Sequence, residues 1–297
     1  MSGACEAMAQ VAVIGGGPGG VSCALWLKRL GVEPVLYERH SIGGQLHDIT
    51  LPIPDLPGEP WIEARELIAR LKQHLFTWKI SVFEGREALE YRDDRVLVFR
   101  DGQEIHYPLV AYAPGLKVRQ LNIPGREWIA KKSTTEMLQE PVSHPILVVG
   151  GGDRAFEAAI RFAESGRPVT LIHRREGFRA RPEFQRRALE LGIPIRVNAQ
   201  LRAVEHGSPG LTAHIEESGK ITSIRLSAVM VRIGMEPDIQ PGLCSVPQSD
   251  VVPLWAHSRV RCLGDAVSPV AFRSIVSAYA SGMAAAKELA MNFKCEA

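Results

Sequence analysis

Two short runs of this chain carry residues that can grip a phosphate, and each is followed by a different kind of charge. In VAVIGGGPGG, Gly15, Gly17 and Gly20 stand in the spacing G-x-G-x-x-G, with Pro18 and Gly19 between the last two. The first glycine permits a tight turn, the second lets a pyrophosphate reach the backbone, and the third lets helix and strand pack closely. The helix that starts there turns unpaired N–H groups and the positive end of its dipole toward the phosphates. Glu38 ends the next strand, with Arg39 beside it, and a carboxylate in that place accepts both hydroxyls of a ribose. In ILVVGGGDRA the pattern returns as Gly150, Gly152 and Ala155, with Asp153 and Arg154 at the start of the helix. Here the following strand ends in His173, Arg174 and Arg175, with Arg179 close behind. An acid would repel a ribose 2′-phosphate, whereas a guanidinium fork binds one. The second run is therefore expected to prefer NADP(H) to NAD(H), with His173 either touching the adenine ribose or capping its own turn.

These residues work only if strands and helices place them. Each run reads as a buried apolar strand, a glycine turn, an amphipathic helix, a Gly-centred stop and a second strand, which is the opening of a βαβ unit. The copies begin at Val11 and Ile146, about 135 residues apart, and 297 residues give room for about two domains, so two nucleotide-binding domains are expected. Between them ISVFEG, RVLVFR, EIHYPL and LVAYAPG read as short strands separated by turns. After Arg259, VRCLGD reads as an apolar strand and residues 271–293 as a long helix of small residues. A net charge of +2 gives no reason to expect a nucleic-acid or anionic-membrane partner. No run approaches the ~18 apolar residues of a membrane span. The first ten residues are too polar and too few for a signal peptide, so a cytoplasmic location is expected.

With these motifs the chain resembles, over nearly its whole length, the low-molecular-weight thioredoxin reductase family of FAD/NADPH flavoproteins. GGGPGG and Glu38 match that family's FAD fingerprint, and Gly43, Gly44, Gln45 and Leu46 match a segment that lies against the flavin. AYAPG, ending at Gly115, sits where its strand leaves the FAD domain, and RIGMEPD resembles the returning strand. Gly264, Asp265 and Ala266 match its second FAD motif, in which Asp265 would hold the ribityl chain. GGGD and HRREGFRA match its NADPH motifs. The resemblance implies an α/β fold of two Rossmann-like dinucleotide-binding domains of three-layer ββα type. The FAD domain would be discontinuous, at residues 1–115 and 234–297, with the NADPH domain, residues 116–233, inserted in it. It further implies a hinge at the two crossings, a homodimer, and contributions from Val82, Arg273 and Ser274 to the cofactor sites, the last two beside the flavin ring.

One departure from the family is plain. Its C-A-x-C disulfide lies shortly before GGGD, and here residues 125–149 contain no cysteine. Cys5, Cys23, Cys244, Cys262 and Cys295 are scattered, with no CxxC, which argues against a disulfide framework or a zinc site. Cys23 and Cys262 are expected in the core, Cys244 in a loop without a role, and Cys5 and Cys295 near the ends. No side chain is assigned a catalytic role, because hydride transfer between cofactors needs no general acid or base. The expected function is NADPH-dependent reduction of FAD, then electron transfer to an external acceptor. That acceptor would be a ferredoxin- or flavodoxin-like carrier, or a small molecule. The alternatives are reduction of an external disulfide directly from the flavin, or a non-catalytic sensor or assembly subunit.

Overall fold

Strand β1 (Gln10–Ile14) is apolar without alternation because both of its faces are covered, Val11, Ala12 and Val13 being fully buried. Helix α1 (Pro18–Arg29) follows, with proline at its start, where a missing N–H costs nothing, and Lys28 and Arg29 in its last turn, where the dipole favours cations. β2 (Glu33–Glu38) returns parallel to β1, in register from Gln10↔Glu33 to Ile14↔Tyr37. α2 (Ala64–Thr77) buries Leu67, Leu71 and Leu75, one helical face, and β3 (Ser81–Glu84) adds beside β2. β4 (Ala88–Arg92), β5 (Val96–Phe99) and β6 (Glu104–His106) form an antiparallel sheet of their own. β7 (Leu109–Tyr112) lies on the other side of β1, and the chain then enters β8 (Leu116–Val118).

A second set of elements repeats the plan. After α3 (Thr134–Met137), closed by a capping box between Ser133 and Glu136, come β9 (Ile146–Val149), α4 (Asp153–Glu164), β10 (Val169–Ile172), α5 (Pro182–Glu190) and β11 (Ile195–Arg196). β12 (Ala199–Gly207), β13 (Gly210–Glu217) and β14 (Lys220–Leu226) form an antiparallel meander, and β15 (Ala228–Val231) returns beside β9. The chain goes back through β16 (Met235–Pro237) to β17 (Trp255–His257), β18 (Val260–Cys262) and α6 (Ile275–Glu296).

This computed structural model describes residues 10–93, 95–207, 210–245 and 249–296. They divide into two compact units: one runs to Lys117 and resumes at Glu236, and the other is Val118–Met235. In the first, the six-stranded sheet β17-β18-β7-β1-β2-β3 packs one face on α1, α2 and α6 through Val11, Val13, Leu27, Leu67 and Leu289. Its other face, with Ala12, Ile14, Tyr37 and Tyr112, packs on Tyr91, Leu97 and Phe99 of the β4–β6 sheet. In the second, the parallel sheet β11-β10-β9-β15 packs Ile146, Val148 and Leu171 against Phe156, Phe162 and Ala188 of α4 and α5. Leu147, Val149 and Val229 face Leu201, Ala213 and Ile215 of the meander. Each such buried aliphatic or aromatic side chain contributes about 1.5–3 kcal/mol. Both units are thus layered β, β, α.

The last helix begins later than its composition suggested. Val270–Phe272 is a separate 3-10 turn, and α6 opens after Ser274, whose hydroxyl accepts the N–H of Ser277 at 3.0 Å.

Candidate functional site

In the first unit the glycine turn sits at the carboxyl end of β1. Gly15 donates its N–H to the Tyr37 carbonyl at 2.8 Å, has φ +106°, and could carry no side chain, since a Cβ would lie 2.2 Å from the Ala113 carbonyl oxygen. At Gly20 a Cβ would lie 1.9 Å from the Gly15 oxygen. Gly17 differs: it is extended, nothing lies within 4 Å of where its Cβ would be, and no side chain caps α1. Two glycines therefore serve the turn, and the third leaves space in front of uncapped N–H groups. Glu38 closes one side of that space. It is 8% exposed; its Oε2 accepts the Gly16 N–H at 2.6 Å and its Oε1 the His40 N–H at 2.8 Å. Two N–H donors hold the carboxylate still and leave lone pairs for hydroxyl donors.

Three other segments come to this turn. Gly43 donates to the Gly16 carbonyl at 2.9 Å, and a Cβ on Gly44 would lie 3.1 Å from Gly17 Cα. Gln45 reaches across to the Leu116 carbonyl at 3.0 Å and lies beside Gly115. From the far end of the chain, Gly264 (φ +79°) donates to Ser281 Oγ at 2.9 Å, and a Cβ on Gly19 would be 3.2 Å from Gly264 Cα. The 3-10 turn Gly264–Val267 then carries Asp265 at its start.

Other expected residues have structural engagements. Leu46 and Ala266 point into the core, and Val82 is the strand partner of Leu36. Arg39 is ion-paired with Asp238, Arg273 donates to the Ser268 carbonyl at 3.2 Å, and Ser274 caps α6. Pro18 opens α1. The sequence reading passed over Gly16, Ser281 and Gly282. The last is the point where α6 crosses α1, since a Cβ there would lie 2.2 Å from the Gly19 oxygen. A lone glycine inside an alanine-rich helix is the available signal for such a crossing.

The second unit builds the same turn with a different rim. Gly150 donates to the Ile172 carbonyl at 3.0 Å, and a Cβ on it would lie 2.3 Å from the Arg232 oxygen. Gly152 is open and α4 has no side-chain cap. Asp153 faces along the chain: its carboxylate accepts the Arg181 N–H at 2.7 Å and Nε at 3.0 Å, pinning the start of α5. Arg154 lies against the Met235 sulfur at 2.9 Å. Ala155 is wholly buried, as the third place of the pattern requires. His173 packs flat over Gly151, where a Cβ would meet its ring at 2.5 Å, with Phe178 tilted against it at 5.5 Å. Burial holds its pKa below the ordinary value, and the charges of Arg174, Arg175 and Arg179 push the same way against a hydrogen bond with the Gly177 backbone.

Arg179 and Ala180 donate their N–H groups to the Gly151 carbonyl at 2.8 and 3.2 Å, which folds the basic loop back onto the turn. Arg174, Arg175 and Arg179 are exposed, and among the described residues their side chains make no hydrogen bond or ion pair. Nearby Arg181, Arg187 and Arg196 each engage a carboxylate, of Asp153, Glu164 and Glu217. The rim thus holds cations without counter-charges beside an open helix N-terminus. Open glycines, uncapped N–H groups, a fixed acid at one turn and unpaired guanidiniums at the other fit two dinucleotides.

The unit Val118–Met235 contains no cysteine. Cys23 is fully buried in α1, its thiol pushed up to about 12 by desolvation. Cys244 lies in a loop, as expected, and is 3% exposed, its thiol donating to the Ser245 carbonyl at 3.5 Å. Cys5 lies outside the described residues, as does the side chain of Cys295.

Residues 9–248 match the family model described as pyridine nucleotide-disulphide oxidoreductase. The ferredoxin–NADP reductase of Ignicoccus hospitalis is 28% identical over 242 residues, 77% of this chain and 78% of that protein. The thioredoxin reductase of Mycolicibacterium smegmatis is 27% identical over 93% of this chain and 94% of that protein. Among solved structures, the thioredoxin reductase of Lactococcus lactis superposes with a TM-score of 0.84 at 24% identity, covering 97% of this chain and 100% of that one.

Proposed function

The chain belongs to the pyridine nucleotide-disulphide oxidoreductase family, and within it we propose that this protein delivers electrons to a small carrier protein of the ferredoxin or flavodoxin kind. It is an FAD-dependent NADPH oxidoreductase. When bound, FAD and NADPH would supply the hydride chemistry, and the chain would supply binding and position. The roles of the chain's own groups follow from the two turns. In the first unit, the α1 N–H groups before Gly17 would bind the FAD pyrophosphate, Glu38 a ribose, and Asp265 the ribityl chain. In the second, the α4 N–H groups before Gly152 would bind the NADPH pyrophosphate. Arg174 and Arg175 would take the 2′-phosphate, with Arg179 behind them. His173, kept neutral by burial, would floor the adenine ribose without adding charge.

The observation that carries the choice of acceptor is the lack of any cysteine from Val118 to Met235. An electron pair arriving at the flavin has no thiol relay in that unit, so it leaves to an outside partner. The similarity to a ferredoxin–NADP reductase supports the same reading. A homodimer belongs to this reading on the family resemblance and is tested by light scattering. The acceptor is tested by following NADPH consumption, anaerobically, with reduced protein and ferredoxin, flavodoxin, thioredoxin, small disulfides or quinones. Turnover with ferredoxin or flavodoxin at least about tenfold above the rest is expected. Turnover with small disulfides alone would replace the proposal by direct disulfide reduction from the flavin.

A further inference from the structure

The guanidiniums of Arg174, Arg175 and Arg179 stand on an exposed loop that is anchored at both ends. At its start, the His173 N–H donates to the Arg196 carbonyl at 2.9 Å and the His173 carbonyl accepts the Ala199 N–H at 3.0 Å, while the ring lies over Gly151. At its end, Arg179 and Ala180 donate to the Gly151 carbonyl, and the Ala180 carbonyl accepts the Gln185 side-chain amide at 2.7 Å. Arg181 comes next, and its partner is Asp153. One carboxylate oxygen, Oδ1, accepts the Arg181 N–H at 2.7 Å, and the other, Oδ2, accepts its Nε at 3.0 Å. The Arg181 guanidinium also lies over the Phe184 ring at 4.4 Å and 3.5 Å from a Glu183 carboxylate oxygen.

Asp153 is an odd residue for its place. It is the first residue of α4, directly after the open Gly152, so the helix end that would receive a pyrophosphate begins with an acid. A carboxylate there suits the helix dipole but repels a phosphate. In the first unit the same place, after Gly17, is taken by the uncharged Pro18. The charge of Asp153 is offset by Arg181, and the pair joins the glycine turn to the far end of the basic loop.

We propose that Asp153 is a positioning residue for cofactor preference: through Arg181 it holds the loop of Arg174, Arg175 and Arg179 where a 2′-phosphate can be bound while the pyrophosphate sits at α4. This rests on the assignment of those arginines to the 2′-phosphate of NADPH. The two phosphate groups belong to one molecule, and the adenosine between them fixes their spacing. A loop already held in place loses less freedom on binding than one that must be ordered. Both Asp153 oxygens are engaged with Arg181, and a carboxylate has no proton to give a phosphate, so the residue acts through the loop. NAD(H) lacks the 2′-phosphate, and its binding does not depend on where the arginines stand.

The test titrates FAD-loaded protein with NADP⁺ and with NAD⁺ by calorimetry. Asp153→Ala should weaken NADP⁺ by about tenfold or more and NAD⁺ by less than about threefold, with the rate of flavin bleaching at saturating NADPH within about twofold of the parent. Asp153→Asn keeps an oxygen for the Arg181 N–H and loses the acceptor for Nε, so it should fall between the two. In a chain already carrying Arg174→Ala, Arg175→Ala and Arg179→Ala, Asp153→Ala should change NADP⁺ binding by less than about threefold, since the loop has nothing left to present. Equal weakening of both nucleotides, weakening of neither, or a full loss in the chain without the arginines would overturn the proposal. So would tighter binding of both, which would make the carboxylate only a charge set against the pyrophosphate. Should Asp153→Ala not fold, Asp153→Asn and Arg181→Gln decide: a loss of about threefold or more for NADP⁺ alone supports positioning, and no selective loss overturns it. The underlying reading fails separately. If the variant without the three arginines binds NADP⁺ as tightly as the parent, the 2′-phosphate assignment falls and the proposal with it; if that variant shows a selective loss and Asp153→Ala does not, positioning alone falls.

Discussion

The two glycine turns are built alike and finished differently. In each, a buried parallel strand ends in a glycine that a neighbouring carbonyl oxygen denies a side chain, 2.2 Å away at Gly15 and 2.3 Å at Gly150. In each, a second glycine, Gly17 or Gly152, faces open space before an uncapped helix. The difference is confined to the end of the following strand. Glu38 is 8% exposed and fixed by two N–H donors; Arg174 and Arg175 are exposed and unbound among the described residues. In the proposed function the shared part would hold a dinucleotide, and the strand end would set which one.

The largest effects should come from the shared part. Ala at Gly15 must both hold a positive φ and displace a backbone carbonyl, so a loss of about 3 kcal/mol or more is expected, seen as insoluble protein or a collapsed Tm. The neighbouring Gly17→Ala meets no protein atom and keeps an allowed backbone, so it should fold yet fail to retain FAD. Gly152→Ala should separate the turns: the protein stays yellow while the KM for NADPH rises by about tenfold or more. Flavin absorbance and thermal melting of the three variants check all of these. Equal flavin loss in Gly17→Ala and Gly152→Ala would break the comparison.

Next in size is the basic rim. Each charge-assisted hydrogen bond is worth roughly 1.5–3 kcal/mol, so Arg174→Ala with Arg175→Ala should lower kcat/KM for NADPH by about 10²–10⁴. NADH, lacking the 2′-phosphate, should be nearly unaffected, and steady-state kinetics with both nucleotides measures the ratio.

Both turns were legible in the sequence because their geometry is local: strand, glycines and helix N-terminus are consecutive, and the acid or the arginines close the next strand. What escaped depends on residues that only the fold brings together. Gly282 meets Gly19 where α6 crosses α1, and nothing near either residue announces the other. Cys244 and Cys262 join one core cluster because β18 pairs with β7 and Gln240 bonds Tyr112, which no spacing encodes. Asp153, in the middle of the glycine motif, turns to Arg181 just before α5, a tertiary contact of the kind that local pattern does not contain. The start of α6 was displaced because the Ser274–Ser277 cap outranks a run of helix-compatible residues before it.

The smallest effect concerns His173. Its pKa lies below the ordinary 6.5 because burial, with Arg174, Arg175 and Arg179 near, disfavours the charged ring. The unfolded chain therefore binds the proton more readily than the folded one. This group costs no stability above about pH 6.5, and stability falls as pH drops below that value until the folded pKa is passed. Melting curves across this window should show a shallower slope for His173→Gln; an unchanged slope would remove His173 from the account.

The central claim is that hydride enters as NADPH at the second turn and reduces the FAD held by the first. Anaerobic rapid mixing of the FAD-loaded protein with NADPH or NADH, followed by the visible flavin absorbance, tests it most directly. Rapid and complete bleaching by NADPH is expected, with NADH at equal concentration slower by about 10² or more, the ratio set by the 2′-phosphate contacts. Flavin that stays oxidised with NADPH, or bleaches equally fast with both nucleotides, would contradict it.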